Sequence, residues 1–154
     1  MNLTKNLTLA EVTKSNTATR LGIENIPNGG ELNNLINIAE KIFQPLRDYF
    51  DVPIGISSGF RNQNLNRAIN GSLASQHCKG QALDLDGDIF GNCDNIKIFR
   101  FIQHNLDFDH LIWEFGTDLN PSWVHVSYVS KEKNRGQILK AFKLRGKTAY
   151  TTWG

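Results

Sequence analysis

Two short alternating runs, joined by a turn, do most to limit how this chain can fold. Leu111-Ile112-Trp113-Glu114-Phe115 and Trp123-Val124-His125-Val126-Ser127 flank a turn around Asn120-Pro121. Side chains alternate faces along a strand, so Val124 and Val126 point into a core while Trp123, His125 and Ser127 point the other way. The pattern predicts paired strands over His110 to Phe115 and Ser122 to Val129. If Asp118 to Pro121 forms a four-residue turn, Thr117 pairs with Ser122 and Glu114 falls opposite His125 on one face. A slip of one residue would put Glu114 on the wrong face.

The rest of the chain supplies helices first and strands later. Residues 7–13 read as a short helix or capping segment, and the polar stretch Asn16 to Asn28 as a loop. Between Glu31 and Phe50, the residues Leu32, Leu35, Ile36, Ala39, Ile42, Phe43 and Leu46 recur at helical spacing, with Pro45 expected to kink or split the helix. A strand over Val52 to Ser58 and a short helix over Gln63 to Ile69 follow. Gln81 to Leu85 reads as an internal strand, Asn95 to Leu106 as an amphipathic helix, and Gln137 to Leu144 as a last strand before an irregular tail. Helices grouped ahead of hairpin-linked strands predict an α+β fold, with N-terminal helices packed on a small, mainly antiparallel sheet. At 154 residues the chain is expected to form one domain.

Chemistry concentrates in Ser75-Gln76-His77-Cys78-Lys79-Gly80-Gln81-Ala82-Leu83-Asp84, answered by His125. Two imidazoles and one carboxylate are a common ligand set for catalytic zinc, and three protein ligands leave a fourth position open. Asp84 shares a strand face with small Ala82, and Gly80 lets the chain turn so that His77 can lie beside that strand. Glu114 is the single charge among apolar neighbours, a costly placement unless it is paired or put to use. It is a candidate general base, with a buried salt bridge as the plainer alternative. Arg61 follows a strand end at Ser57-Ser58-Gly59-Phe60; spacing alone leaves it equally a forked donor to a substrate or oxyanion and a surface ion pair. Cys78 adjoins His77, but next to a ligand in an extended stretch it would point elsewhere. His104 and His110 lack a strand-positioned partner, although His110 flanks the hairpin and could line a cleft. Asp84, Asp86 and Asp88 do not make a calcium loop, because Gly87 precedes Asp88 and Asn95 stands where the closing Glu is needed.

Composition excludes some functions. A formal net charge of +2, with no dense Lys/Arg stripe, argues against nucleic acid, and Lys131 to Arg135 reads as a solvated turn. No apolar run is long enough to cross a membrane, and the N-terminus lacks the pattern of a signal peptide. Synthesis in the cytosol is therefore expected, with work outside needing another exit route. Cys78 and Cys93 are not spaced as a zinc ribbon or a CxxC pair and read as free thiols, a disulfide being the alternative. A monomer is the default expectation.

The string Ser75-x-His77-x-x-Gly80-x-Ala82-x-Asp84, with Gly59-Phe60-Arg61 upstream and Trp123-Val124-His125-Val126-Ser127 downstream, resembles the zinc D-Ala-D-Ala carboxypeptidases of peptidase family M15. It looks most like their compact branch, which includes phage cell-wall endopeptidases, within the wider group that contains the hedgehog signalling domain. The resemblance implies one zinc ion on His77, Asp84 and His125, and a substrate or transition-state contact for Arg61. It also implies a supporting, substrate-side role for Ser75. Many relatives place a catalytic carboxylate or second His two or three residues before the last ligand. Here those positions hold Ser122 and Trp123, so the base is expected on the preceding strand, at Glu114. Trp113, Trp123 and Phe60 would wall the cleft or fill the core. The implied substrate is the stem peptide or crosslink of bacterial peptidoglycan, cut by a carboxypeptidase or by a lysin-type endopeptidase such as a phage endolysin. The alternatives are a non-catalytic zinc-bearing cell-wall-binding module and a phage structural component.

Overall fold

The computed structural model describes residues 1–153. A small ribbon of β1 (Asn2–Thr4) and β2 (Leu7–Thr8) leads directly into helix α1 (Leu9–Thr13). Thr8 and Glu11 close a reciprocal capping box at the α1 N-terminus. The stretch expected as a loop contains helix α2 (Asn16–Leu21). Its polar sequence hides the helix, which is defined by its ends: Ser15 Oγ accepts the Ala18 N–H, and Gly22 closes the helix at φ 67°.

Helix α3 (Gly29–Ile38) runs through a π turn (Ala39–Phe43) into α4 (Gln44–Phe50). The Gln44 N–H reaches back five residues to the Ala39 carbonyl, which widens the helix just before Pro45. Pro45 then occupies the first turn of α4, where a missing N–H costs little. The proline therefore marks a π turn rather than a break.

Six further strands form one sheet in the order β3-β4-β6-β5-β7-β8. They are β3 (Gly55–Ser58), β4 (Ala82–Asp86), β5 (His110–Glu114), β6 (Trp123–Ser127), β7 (Gln137–Leu144) and β8 (Lys147–Thr152). All neighbours are antiparallel except β5 and β7. The tail expected to be irregular is β8, the outer strand of a hairpin with β7. Its Lys-Thr-Ala-Tyr-Thr-Thr sequence has little apolar alternation, and pairing with β7 holds it in place.

The two faces of the sheet differ sharply. Leu83 and Leu85 on β4, Val124 and Val126 on β6, and Leu111 and Trp113 on β5 are buried and pair across strands. They pack with Leu35, Ile38, Ile42, Phe43 and Leu46 from the α3–α4 helix and with Ile98, Phe99 and Ile102 from α6 (Asn95–Asn105). Full burial of each such side chain is worth about 1.5–3 kcal/mol. The opposite face carries Asp84, His125, Glu114 and Trp123 and is open. This is an α+β architecture with helices on one face and a cleft on the other. Among the described residues, no helix is long and apolar enough to cross a membrane.

Candidate metal centre and cleft

His77 sits in a short 3₁₀ turn (Gln76–Lys79), not in an extended stretch. Helix α5 (Gln63–Ala68) and a loop lead into it. Ser75 caps the turn, its Oγ accepting the His77 N–H at 3.2 Å. Gly80 ends it at φ 73°, and a Cβ there would lie 2.5 Å from the Glu31 carbonyl oxygen. Only glycine meets both demands. Cys78 is buried in the same turn but takes no part in the metal group. The turn geometry, rather than extended alternation, keeps it apart.

The His77 ring is fixed by its other nitrogen. Nδ1 lies 2.7 Å from the Gly59 carbonyl oxygen, a partner that can only accept, so Nδ1 carries the proton and Nε2 is left as a lone-pair donor. Gly59 can hold that carbonyl in place because the chain there presses against α1. A Cβ on Gly59 would lie 2.3 Å from the Val12 carbonyl oxygen.

Asp84 and His125 are direct cross-strand partners on β4 and β6. Asp84 Oδ1 lies 2.9 Å from His125 Nδ1 and 3.4 Å from His77 Nε2. One ligand atom from each of the three residues can be chosen so that all lie within 4.8 Å of one another. Burial alone would raise the Asp84 pKa, but the two imidazoles outweigh it and hold the carboxyl well below the usual range. Two imidazole nitrogens and an ionised carboxylate oxygen suit zinc, and the tautomer imposed on His77 fits metal ligation.

Glu114 lies on the same face as His125 but not opposite it. The register pairs Glu114 with Trp123, and Ile112 with His125. The hairpin connection is longer than a four-residue turn, with the Ser122 N–H bonded to the Glu114 carbonyl at 2.9 Å. The resulting offset is even, so the face is preserved. Phe115 ends β5 in the left-handed region at φ 54°, followed by Gly116 at 71°. This departs from strand geometry, and Phe115 also lines the cleft, with its ring 5.4 Å from that of Trp123. Glu114 is 8% exposed, and its carboxylate has no hydrogen-bond or ion-pair partner among the described residues. Burial lifts its pKa up to about 7, against the pull of His125 and with the help of the Asp84 charge. The salt bridge considered as its alternative role is absent among the described residues.

Arg61 reaches the same cleft. Its guanidinium donates to Ser58 Oγ and Ser75 Oγ, each at 3.2 Å, while its buried Nε–H has no partner among the described residues. Burial lowers its pKa and Asp84 opposes the shift. Arg61, Ser75, His77, Asp84, Glu114, Trp123 and His125 thus line one cavity of about 780 Å³.

Sequence reasoning missed Asp109. It is 1% exposed and binds Arg135 through both carboxylate oxygens, Oδ1 accepting Nε–H at 2.9 Å and Oδ2 accepting an Nη2–H at 2.8 Å. Oδ2 also accepts from Gln76 Nε2 at 2.9 Å, which ties the His77 turn to the sheet. The one available signal was an acid beside a strand and an Arg before the next. Arg135 is therefore not merely part of a solvated turn. His110 lines the cleft and meets Gln137 Oε1 at 2.8 Å, while His104 lies on α6, outside the cleft. Asp86 ends β4 and caps the Asp88 N–H at 3.0 Å, as loop residues would. Cys78 and Cys93 are both unpaired.

Comparison with known families gives one assignment. The profile described as Peptidase M15 matches residues 5–127, which include every ligand of the candidate centre. No curated protein matches the chain.

Proposed function

The chain belongs to the Peptidase M15 family, and from that premise we propose that it is a zinc-dependent peptidase cutting the stem peptide or crosslink of bacterial peptidoglycan. The observation that carries this reading is the convergence of His77, Asp84 and His125 beside a buried, unpaired carboxylate in one open cleft. The family and the ligand geometry support a metallopeptidase. The likeness of the motif string to D-Ala-D-Ala carboxypeptidases supports the substrate.

His77, Asp84 and His125 would hold the zinc. When bound, zinc acts as a Lewis acid, polarising the scissile carbonyl and making water a better nucleophile near neutral pH. Glu114, a buried carboxylate on the cleft face without an ion-pair partner among the described residues, takes a proton from the attacking water and returns it to the leaving nitrogen. Arg61 lines the cleft, and the positive charge of its guanidinium stabilises the oxygen on which negative charge develops. Ser75 positions both the Arg61 guanidinium and the His77 turn. Trp123 and Phe115 keep the surroundings of Glu114 apolar. The protein acts at the cell wall after release from the cytoplasm.

The test is digestion of purified peptidoglycan by metal-analysed protein. The expected result is about one zinc per chain, soluble peptide fragments, loss of activity with chelator and its return with zinc. Mass spectrometry of the fragments names the bond. Bound zinc without any fragments would convert the reading to a binding module, and absence of zinc would remove it.

A further inference from the structure

The cleft extends past the matched family segment. Strands β7 and β8 lie beyond residue 127, yet β7 pairs directly with β5, the strand that carries Glu114. Ala141 is the β7 partner of Glu114, and Tyr150 is the β8 partner of Ala141. Trp123, Glu114, Ala141 and Tyr150 therefore form one row across four strands on the cleft face. Ala141 is small and fully buried beneath its neighbours in the row. Tyr150 lines the cavity together with Thr148, is 56% exposed, and its hydroxyl bonds to no described residue. An aromatic ring with an unused hydroxyl, at the end of a groove, is built like a ligand contact.

Neighbouring strands are about 4.8 Å apart, so the backbone of Tyr150 lies about 10 Å from that of Glu114, and both side chains line the same cavity. We propose that Tyr150 is a substrate-binding residue that holds the peptide beyond Glu114, on the side of the cleft away from Arg61. The ring packs on the substrate and the hydroxyl donates to one of its carbonyl or carboxylate oxygens. This inference rests on the peptidase reading above.

The experiment uses zinc-loaded full-length protein and soluble stem peptides from purified peptidoglycan whose glycan strands have been cleaved. Tyr150→Ala should raise KM about tenfold, the loss of one good contact, with kcat within about twofold. Tyr150→Phe keeps the ring and should raise KM about threefold. Zinc content and thermal midpoint should stay at wild-type values in both. Thr151→Ala, one residue along on the alternate face of β8, should behave as wild type. Unchanged KM in Tyr150→Ala, or a fall confined to kcat, would overturn the assignment while leaving the peptidase intact. A wild-type protein that cleaves none of these peptides would overturn the peptidase reading, and the role of Tyr150 with it.

Discussion

Glu114, the proposed base, carries a stability cost. Its pKa in the folded protein is about 7, against an ordinary value of 4.5, so the folded state binds more protons than the unfolded state between those values. Stability is then fully present below about pH 4.5 and is lost as pH rises through about 7, by about 3 kcal/mol. Glu114→Gln removes the charge and its penalty. In metal-free protein, denaturant titrations should find the variant more stable than wild type by up to about 3 kcal/mol at pH 8 and equal to it at pH 4. With zinc bound, the same variant should keep its metal and lose at least about a hundredfold in kcat. Retained turnover would remove Glu114 from its role. The face of Glu114 was legible in the sequence, because an alternating strand allows two choices and the apolar neighbours select one. Its exact partner was not. The register depends on Phe115 and Gly116 both turning left-handed, and nothing in the residue type of Phe115 announces that.

The elements around the centre are held by a few close contacts that composition does not display. The His77 turn is held by Gly80 below and by the Gln76–Asp109–Arg135 network at its side. Gly80→Ala places a Cβ at a positive φ and against the Glu31 carbonyl. It should cost about 2 kcal/mol or more and weaken zinc binding, measured by thermal melts and metal titration. Arg135→Ala leaves a buried Asp109 without its guanidinium and should cost about 2–4 kcal/mol. The two Arg135 side-chain bonds lead in depressing the Asp109 pKa, against burial and with help from the Arg135 N–H and Gln76. That stabilisation is present above the usual carboxylate range and is lost as pH falls below that range, through the depressed pKa of Asp109. Asp109→Asn should therefore flatten the acid limb of the stability curve. Helix α3, strands β4 to β6 and helix α6 were readable from periodicity, because each buries one face. Helix α2 and strand β8 were not, because their placement comes from caps and from pairing with a neighbour rather than from an apolar stripe.

For the molecule as a whole, the candidate centre joins the helical layer to the sheet. His77 comes from a turn packed against α3, while Asp84 and His125 come from the sheet interior. A metal that binds only the folded arrangement adds about 2.7 kcal/mol at a hundredfold excess over its Kd. Zinc should therefore raise the thermal midpoint by about 5–10 °C for a chain of this size, read by calorimetry with and without chelator. Asp84→Asn should abolish the rise. Asp84, Glu114 and His125 sit on central strands, braced on both sides, whereas the ends of the groove are built from peripheral pieces: the loop before His77 on one side and the outermost strand on the other. Peripheral pieces can change length and side chains without disturbing the middle. Substrate choice and chemistry are thus encoded in separable parts of the chain, and a lineage of such peptidases can retarget itself by editing the rim alone.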